Sequence, residues 1–272
     1  MSLKKKLKKG ISFFVPKGYT KEKIKLFFYK TFSKNNVSFD VLKVANTHTQ
    51  GSYVYKTTFD DITLLTNQAL YPIVDDFGYY NYKYKAKSGD VIIDAGANLG
   101  HISIFFSKCV GKSGKVFCFE PDKHNVKQLE SNIKLNKDLE DNIILQDMLL
   151  WNEDTFIDFE EAGTVGSSAK WFSGNANVVK KQAITIDSWV KQNNINRLDL
   201  IKMDIEGAEI EAVEGCLEIM KTLKPNFAIA SYHIINGEPT YIKLEEFFKK
   251  NNYPYKTVTF RGNEIITFAG TI

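Results

Sequence analysis

A continuous apolar run that breaks first on an acid and then on glycines constrains this chain more than any other feature. Val91, Ile92 and Ile93 lead into Asp94, and Gly96, Asn98 and Gly100 follow. Unbroken rather than alternating hydrophobicity marks a strand buried on both faces, as in a parallel sheet covered by helices. The glycines supply a tight turn with bare backbone at the strand end. Ile102, Ile104, Phe105 and Phe106 then open a helix whose first N–H groups point back at that turn. A second strand, Val116 to Phe119, delivers Glu120 to the same carboxyl edge. An acid at that place accepts the hydroxyls of a ribose in dinucleotide-type folds, so the two strands together imply an adenosine-bearing ligand.

The spacing narrows the ligand. A nicotinamide dinucleotide site prefers G-x-G-x-x-G, but the third glycine position counted from Gly96 holds His101. No G-x-x-x-x-G-K-[ST] phosphate loop occurs, which excludes a P-loop nucleotide hydrolase. The turn reads D-x-G-x-N-x-G, and it resembles motif I of the class I S-adenosylmethionine-dependent methyltransferases.

Charge is unevenly spread over the 272 residues. Positions 1–34 hold eleven lysines and one acid, Glu22, so +10 of a net +4 sits there and −6 is left for the rest. The lysine-rich start reads either as a solvated terminus or as a contact with an anionic membrane or nucleic acid. Ile24, Phe27, Phe28 and Phe32 fall at helical spacing among Lys21, Lys23, Lys25 and Lys30; such a helix docks on its own domain or lies on a membrane surface. Arginine is confined to Arg197 and Arg261, so any anion clamp uses lysine, backbone N–H groups or helix ends. No apolar stretch reaches the length of a membrane span, and the start lacks the apolar core of a secretory signal. Cys109, Cys118 and Cys216 have neither disulfide nor zinc spacing and read as core residues of a reducing compartment, which gives a cytoplasmic address as the expectation.

Along the chain, residues 1–87 read as a basic helix and a small mixed or β-rich cap, with short alternating runs at Phe39–Val41, Tyr53–Tyr55 and Ile62–Leu65 separated by turns at Asn46-Thr47 and Asp60-Asp61. Tyr79, Tyr80, Tyr82 and Tyr84 either pack cap against core or line an acceptor pocket. Residues 88–272 form the main domain. A third strand, Ile143–Leu145, ends at Asp147 and Met148, where Asp147 either accepts from an adenine amino group or is a surface turn acid. Residues 151–182 read as an inserted hairpin with a glycine- and serine-rich loop, a candidate lid. Asp187 is expected to cap the helix that follows the run Ala183–Ile186. The stretch LDLIKMDIEGAE, Leu198 to Glu209, brings Asp204 and Glu206 to the edge that holds Gly96 and Glu120. Three carboxylates within six residues there exceed what a fold needs; they orient a substrate hydroxyl, take its proton or hold a divalent cation. A later strand, Phe227–Ala230, ends at His233, which serves either as a base near neutral pH or as a structural side chain. Tyr255–Phe260 and Glu264–Phe268 around Arg261-Gly262-Asn263 read as an antiparallel hairpin.

VIIDAGANLG, FEPDKHN, ITIDSWV and DLIKMDIEGAE, in that order over about residues 88–235, resemble the FkbM-type methyltransferase family. The resemblance implies an α/β fold: a doubly wound, mostly parallel seven-stranded sheet of the class I methyltransferase (Rossmann-like) type, with a C-terminal antiparallel hairpin and a small N-terminal cap. It implies S-adenosylmethionine as cofactor, with Asp94, Gly96, Asn98, Gly100 and His101 near the methionine end. Glu120 and Asp122 would serve the ribose side, and Asp147 and Met148 the adenine. The implied reaction is O-methylation of a hydroxyl on a sugar, a glycan or another small natural product, by in-line displacement at the sulfonium methyl. The candidates for the base are His233, then Asp204, then Glu206; the family pattern often has an acid before the histidine, where this chain has Ser231-Tyr232. One strand-end carboxylate does not establish a metal site, so no metal is assigned. The competing readings are an RNA methyltransferase using the basic start, ranked lower, and a non-catalytic protein that kept the fold.

Overall fold

A computed structural model describes residues 18–32, 36–43, 53–137, 141–163, 167–170 and 177–271. The lysines of residues 1–17, the turn at Asn46-Thr47 and part of the glycine- and serine-rich loop lie outside the described residues. The chain divides into two units, Met1–Val74 and Asp75–Ile272.

In the first unit, helix α1 (Tyr19–Phe32) precedes three antiparallel strands, β1 (Val37–Lys43), β2 (Tyr53–Phe59) and β3 (Ile62–Thr66). Val37, Phe39 and Val41 are buried while Ser38 faces out, the period of two that a one-sided sheet requires. Asp60 and Asp61 both take positive φ, 46° and 67°, which matches the twist of a two-residue hairpin turn between β2 and β3. The helix docks on this sheet by burying Leu26, and Lys23 pairs with Asp40 at 2.5 Å. Phe27 stays exposed.

The second unit opens with α2 (Asp75–Tyr80) and then alternates: β4 (Val91–Ala95), α3 (His101–Val110), β5 (Lys115–Phe119), α4 (Lys123–Lys134) and β6 (Ile143–Gln146). A side sheet follows, from β7 (Leu149–Leu150), β8 (Thr155–Glu161) and β9 (Asn177–Ile184) in the order β7-β9-β8. The chain returns through α5 (Ile186–Gln192), β10 (Leu200–Met203), α6 (Glu209–Glu214), α7 (Leu217–Thr222) and β11 (Asn226–Ala230). It closes with the short pair β12 (Ile234–Ile235) and β13 (Glu238–Pro239), α8 (Thr240–Lys250), β14 (Tyr255–Thr259) and β15 (Ile265–Ala269). The main sheet runs β14-β15-β11-β10-β4-β5-β6 among the described residues. The pairs from β11 to β6 are parallel, and β15 joins β11 and β14 antiparallel. This is the seven-stranded, doubly wound, mostly parallel sheet with a terminal antiparallel hairpin that the resemblance implies.

Strand order reverses between β4 and β10, because the chain winds outward from β4 through β5 to β6 and later from β10 to β11. Such a switch point opens a crevice at the carboxyl ends of the two strands. Beneath the sheet, Trp189 meets Phe117 and Phe119 edge-on at 4.8 and 5.1 Å, and its Nε1 donates to Gln146 at 3.1 Å. Phe227 and Phe248 pack at 5.4 Å under β11.

The contact division falls between Val74 and Asp75, and α2 and the tyrosines pack inside the second unit. There Phe77 stacks on Phe105 at 4.9 Å and Tyr79 on Phe260 at 4.4 Å. Thr185, not Asp187, caps α5 by accepting from the Ser188 N–H at 3.0 Å. Asp187 instead accepts from the Glu218 and Ile219 N–H groups, which ties α5 to the start of α7. The run Ala183–Ile184 lies in the side sheet, beside Leu149–Leu150. Among the described residues no helix is long and apolar enough to cross a membrane.

Candidate active site

The crevice has two walls. The first is the turn after β4, where Gly96, Asn98 and Gly100 all take positive φ, at 74°, 50° and 81°. A Cβ at Gly96 would run into the backbone of Asp204, so this glycine lets the ends of β4 and β10 close together. Gly100 starts α3 without a side-chain cap, which leaves the first N–H groups of a ten-residue helix for an anionic ligand. His101 sits on that first turn, and its Nδ1 is buried with no hydrogen-bond partner among the described residues. Burial, assisted by Lys202, pushes the imidazole down to about 3, so it is neutral at physiological pH.

Glu120 closes this wall. Its Oε2 accepts from the Asn98 N–H at 2.7 Å and its Oε1 from the Asp122 N–H at 2.9 Å. Burial raises the carboxyl to about 7 in spite of those bonds. Oε1 also accepts a long bond from Asn125 Nδ2 at 3.4 Å, while Oε2 keeps open acceptor capacity, so ribose hydroxyls fit this carboxyl chemically. The uncapped helix, the orphaned His101 Nδ1 and the desolvated Glu120 together suit an amino acid attached to a nucleoside.

Other expected cofactor residues are engaged elsewhere. Asp94 is fully buried, 2.9 Å from Lys202 Nζ, and accepts from Ser103 Oγ at 2.6 Å, so it braces the turn from below. Asp122 caps α4 by accepting from the His124 and Asn125 N–H groups. It also accepts from the Gly163 N–H and Ser167 Oγ, which pins the β8–β9 hairpin to the end of β5. Asp147 pairs with Lys181 at 2.7 Å and stays largely exposed, while Met148 packs on the core.

The second wall is a carboxylate and imidazole cluster at the ends of β10 and β11. His233 Nε2 stands 3.7 Å from Asp204 Oδ1 and 3.6 Å from Glu206 Oε2, and its Nδ1 is 3.2 Å from Glu209 Oε1. The three residues predicted to handle the acceptor therefore meet. Burial opposes charge on His233, but Glu209, Asp204 and Glu206 outweigh it and raise the imidazole to about 9. Protonated at neutral pH, His233 is not a free base there. Burial, with Asp204 beside it, lifts Glu206 to about 7.

Sequence reasoning missed three members of this wall, Lys202, Asp76 and Glu264, and left a fourth, Tyr80, open between packing and lining a pocket. Lys202, buried within β10, donates to the Ala95 and Gly96 carbonyls at 3.2 and 2.9 Å and lies over the Tyr80 ring. Tyr80 donates to Asp204 Oδ2 at 2.9 Å. Asp76 is raised to about 7 by burial and by Asp204, and Glu264 is raised by the same two causes. Of the three missed residues only Lys202 left a local signal, a lysine inside an otherwise apolar strand.

This proton inventory fixes the pH dependence of stability. Asp76, Glu120 and Glu206 hold protons in the fold up to about 7, against ordinary values of 3.8, 4.5 and 4.5. His233 does so up to about 9, against 6.5. His101 runs the other way below about 6.5, because the fold holds it at about 3, but the four raised groups outnumber it from about pH 5 upward, so stability falls as pH rises from about 5 to 9. Calorimetry at constant ionic strength should give a Tm several degrees higher at pH 5.5 than at pH 9. A flat or rising profile would mean that these groups do not carry the extra protons.

A family model described as "Methyltransferase FkbM domain" matches residues 94–255. A 2-O-methyltransferase, NoeI, of Sinorhizobium fredii is 25% identical over 163 residues, covering 54% of this chain and 64% of the relative. The crystal structure of methyltransferase FkbM from Methylobacillus flagellatus superposes with a TM-score of 0.53 at 17% identity, over 70% of this chain and 47% of the other. The chain spans less than two thirds of either relative.

Proposed function

Because the chain belongs to the FkbM methyltransferase family and uses S-adenosylmethionine, we propose that it methylates a hydroxyl oxygen on a sugar, a glycan or another small acceptor. The observation that carries this reading is the Asp204–Glu206–His233 cluster facing the cofactor wall across the β4/β10 crevice. A neutral hydroxyl is a weak nucleophile that must shed its proton as it attacks, whereas a neutral amine is nucleophilic enough to attack before losing one, so a carboxylate-rich wall suits oxygen. The name of the rhizobial relative, a 2-O-methyltransferase, supports the same direction.

Bound there, S-adenosylmethionine supplies a methyl group activated by a sulfonium. The residues of this chain do the rest. Glu120 holds the ribose hydroxyls, and the uncapped start of α3, with His101, receives the methionine end. Glu206 takes the acceptor proton, since its carboxyl titrates near neutral pH, and the protonated His233 holds Asp204 and Glu206 in place. The test is methyl-labelled cofactor with a panel of sugars, glycans and amines. Label on a hydroxyl oxygen is expected, and label confined to nitrogen would overturn the reading.

Cofactor binding gives a separate prediction. Two charge-assisted hydrogen bonds to a ribose are worth about 1.5–3 kcal/mol each, so Glu120→Ala should weaken S-adenosylhomocysteine binding roughly 100-fold or more. Since binding favours the ionised carboxyl, wild-type affinity should rise with pH through about 7. Titration calorimetry at several pH values checks both. Undiminished affinity in Glu120→Ala removes this residue from the site.

A further inference from the structure

The acceptor wall holds more negative charge than its own cations offset. Asp204, Glu206 and Glu209 converge on His233, and Asp76 and Glu264 add their fields to Asp204. Acidic crowding alone makes no ligand site, but His233 adds a directional observation. More than nine-tenths buried, it aims Nε2 between Asp204 and Glu206, and that nitrogen has no hydrogen-bond partner among the described residues. Asp204 Oδ1, facing it, is likewise buried without one.

We propose that Asp204 Oδ1, Glu206 Oε2 and His233 Nε2 form a binding site for a divalent transition-metal cation, with its open side toward the acceptor. The spacing fits. One atom from each residue lies within 4.8 Å of the others, and the two contacts to Nε2 are 3.6 and 3.7 Å. Ligands on a tetrahedral ion at about 2.1 Å stand about 3.4 Å apart, so the two contacts to Nε2 need a shift of only a few tenths of an ångström, and the Asp204 and Glu206 oxygens, within 4.8 Å of each other, draw together on the ion. These separations are too long for hydrogen bonds but suited to three atoms sharing an ion.

The surroundings repeat the logic of metal ligation. A ligating histidine commonly gives its second ring N–H to a carboxylate, which fixes the tautomer and directs the free lone pair at the metal. Glu209 stands in that place: fully buried and held by the Ile205 and Gly207 N–H groups, it has Oε1 3.2 Å from His233 Nδ1, at ion-pair distance but without hydrogen-bond geometry. Tyr80 binds Asp204 Oδ2, which leaves Oδ1 for the ion. One imidazole with two carboxylates suits Mn²⁺ or Zn²⁺ better than Mg²⁺. Three protein ligands leave a position free, and the part-exposed Asp204 and Glu206 put it on the open side of the wall. Binding the cation displaces the proton from His233 Nε2 and engages Glu206 Oε2, so the protonated histidine and free carboxylate of the reading above describe the metal-free wall; the cation's role, to hold the acceptor hydroxyl oxygen, rests on that reading.

The test uses full-length protein stripped with a chelator, titrated with MnCl₂ followed by paramagnetic resonance and with ZnCl₂ by calorimetry. S-adenosylhomocysteine binding is measured on the same samples. One equivalent should bind, about 100-fold more weakly in Glu206→Gln and His233→Gln, and 10- to 100-fold more weakly in Glu209→Gln. All three variants should still bind S-adenosylhomocysteine, which shows that they are folded. Stripped protein that binds S-adenosylhomocysteine but neither metal overturns the cation site and leaves the methyltransferase reading intact. Metal affinity unchanged in Glu206→Gln and His233→Gln overturns it as well. Stoichiometric metal binding without methylation of any hydroxyl supports the cation site and removes the acceptor reading instead.

Discussion

Lys202→Met should destabilise the second unit by about 3–5 kcal/mol, the cost of leaving one member of a buried ion pair uncompensated. Lys202 is 3% exposed and Asp94 fully buried, with Nζ 2.9 Å from Oδ1. Burial disfavours charge on the lysine, yet Asp94 and Asp204 outweigh it and raise its pKa above the ordinary value. Methionine fills the same volume but withdraws the ammonium from Asp94 and from the Ala95 and Gly96 carbonyls. Those carbonyls belong to the cofactor turn, so S-adenosylhomocysteine affinity should fall with stability. Lys202→Met combined with Asp94→Asn should recover much of the loss, since the remaining amide is neutral and Ser103 can still pair with it. Urea unfolding with an unchanged m value measures the difference. A cost below about 1 kcal/mol for Lys202→Met would show that Asp94 is not held by this lysine.

Why this lysine escaped sequence reading while the glycine turn did not is a matter of range. Val91 to Gly100 announces itself locally, because an apolar run, an acid and positive-φ residues sit within ten positions. Glu120 and the terminal hairpin are legible for the same reason. Lys202 acquires its meaning only from register: β10 lies beside β4 with Lys202 opposite Asp94, a pairing that no local pattern encodes. Tyr80 reaches Asp204 across 124 residues of sequence, so a tyrosine-rich stretch before the main fold gave no hint of which ring would enter the site. Asp122 shows the reverse. Its place after Glu120 suggested a ligand contact, and the structure uses its oxygens to cap α4 and anchor the hairpin. His233 was legible as a strand-end histidine, but not its charge, which Glu209 sets from the start of α6.

That charge changes the order of the candidate bases, and Glu206→Gln measures the consequence. Glutamine keeps the shape of Glu206 and removes its basicity, so kcat should drop by about 10²–10⁴-fold, the usual contribution of a positioned base. Affinity for S-adenosylhomocysteine should hold, because the cofactor wall is built from β4, β5 and α3. In the wild type, kcat should climb with pH to a plateau above about 7, as Glu206 loses its proton. Glu206→Gln should lose that limb. His233→Gln should keep it, because an imidazolium that persists to about 9 cannot generate a limb near 7. Its removal instead deprives Asp204 and Glu206 of a neighbouring positive charge, which moves the limb upward. If Glu206→Gln retained both its rate and its pH limb, the proton would have to go to Asp76, the other acid on this wall raised to about 7. Asp76→Asn would then carry the loss.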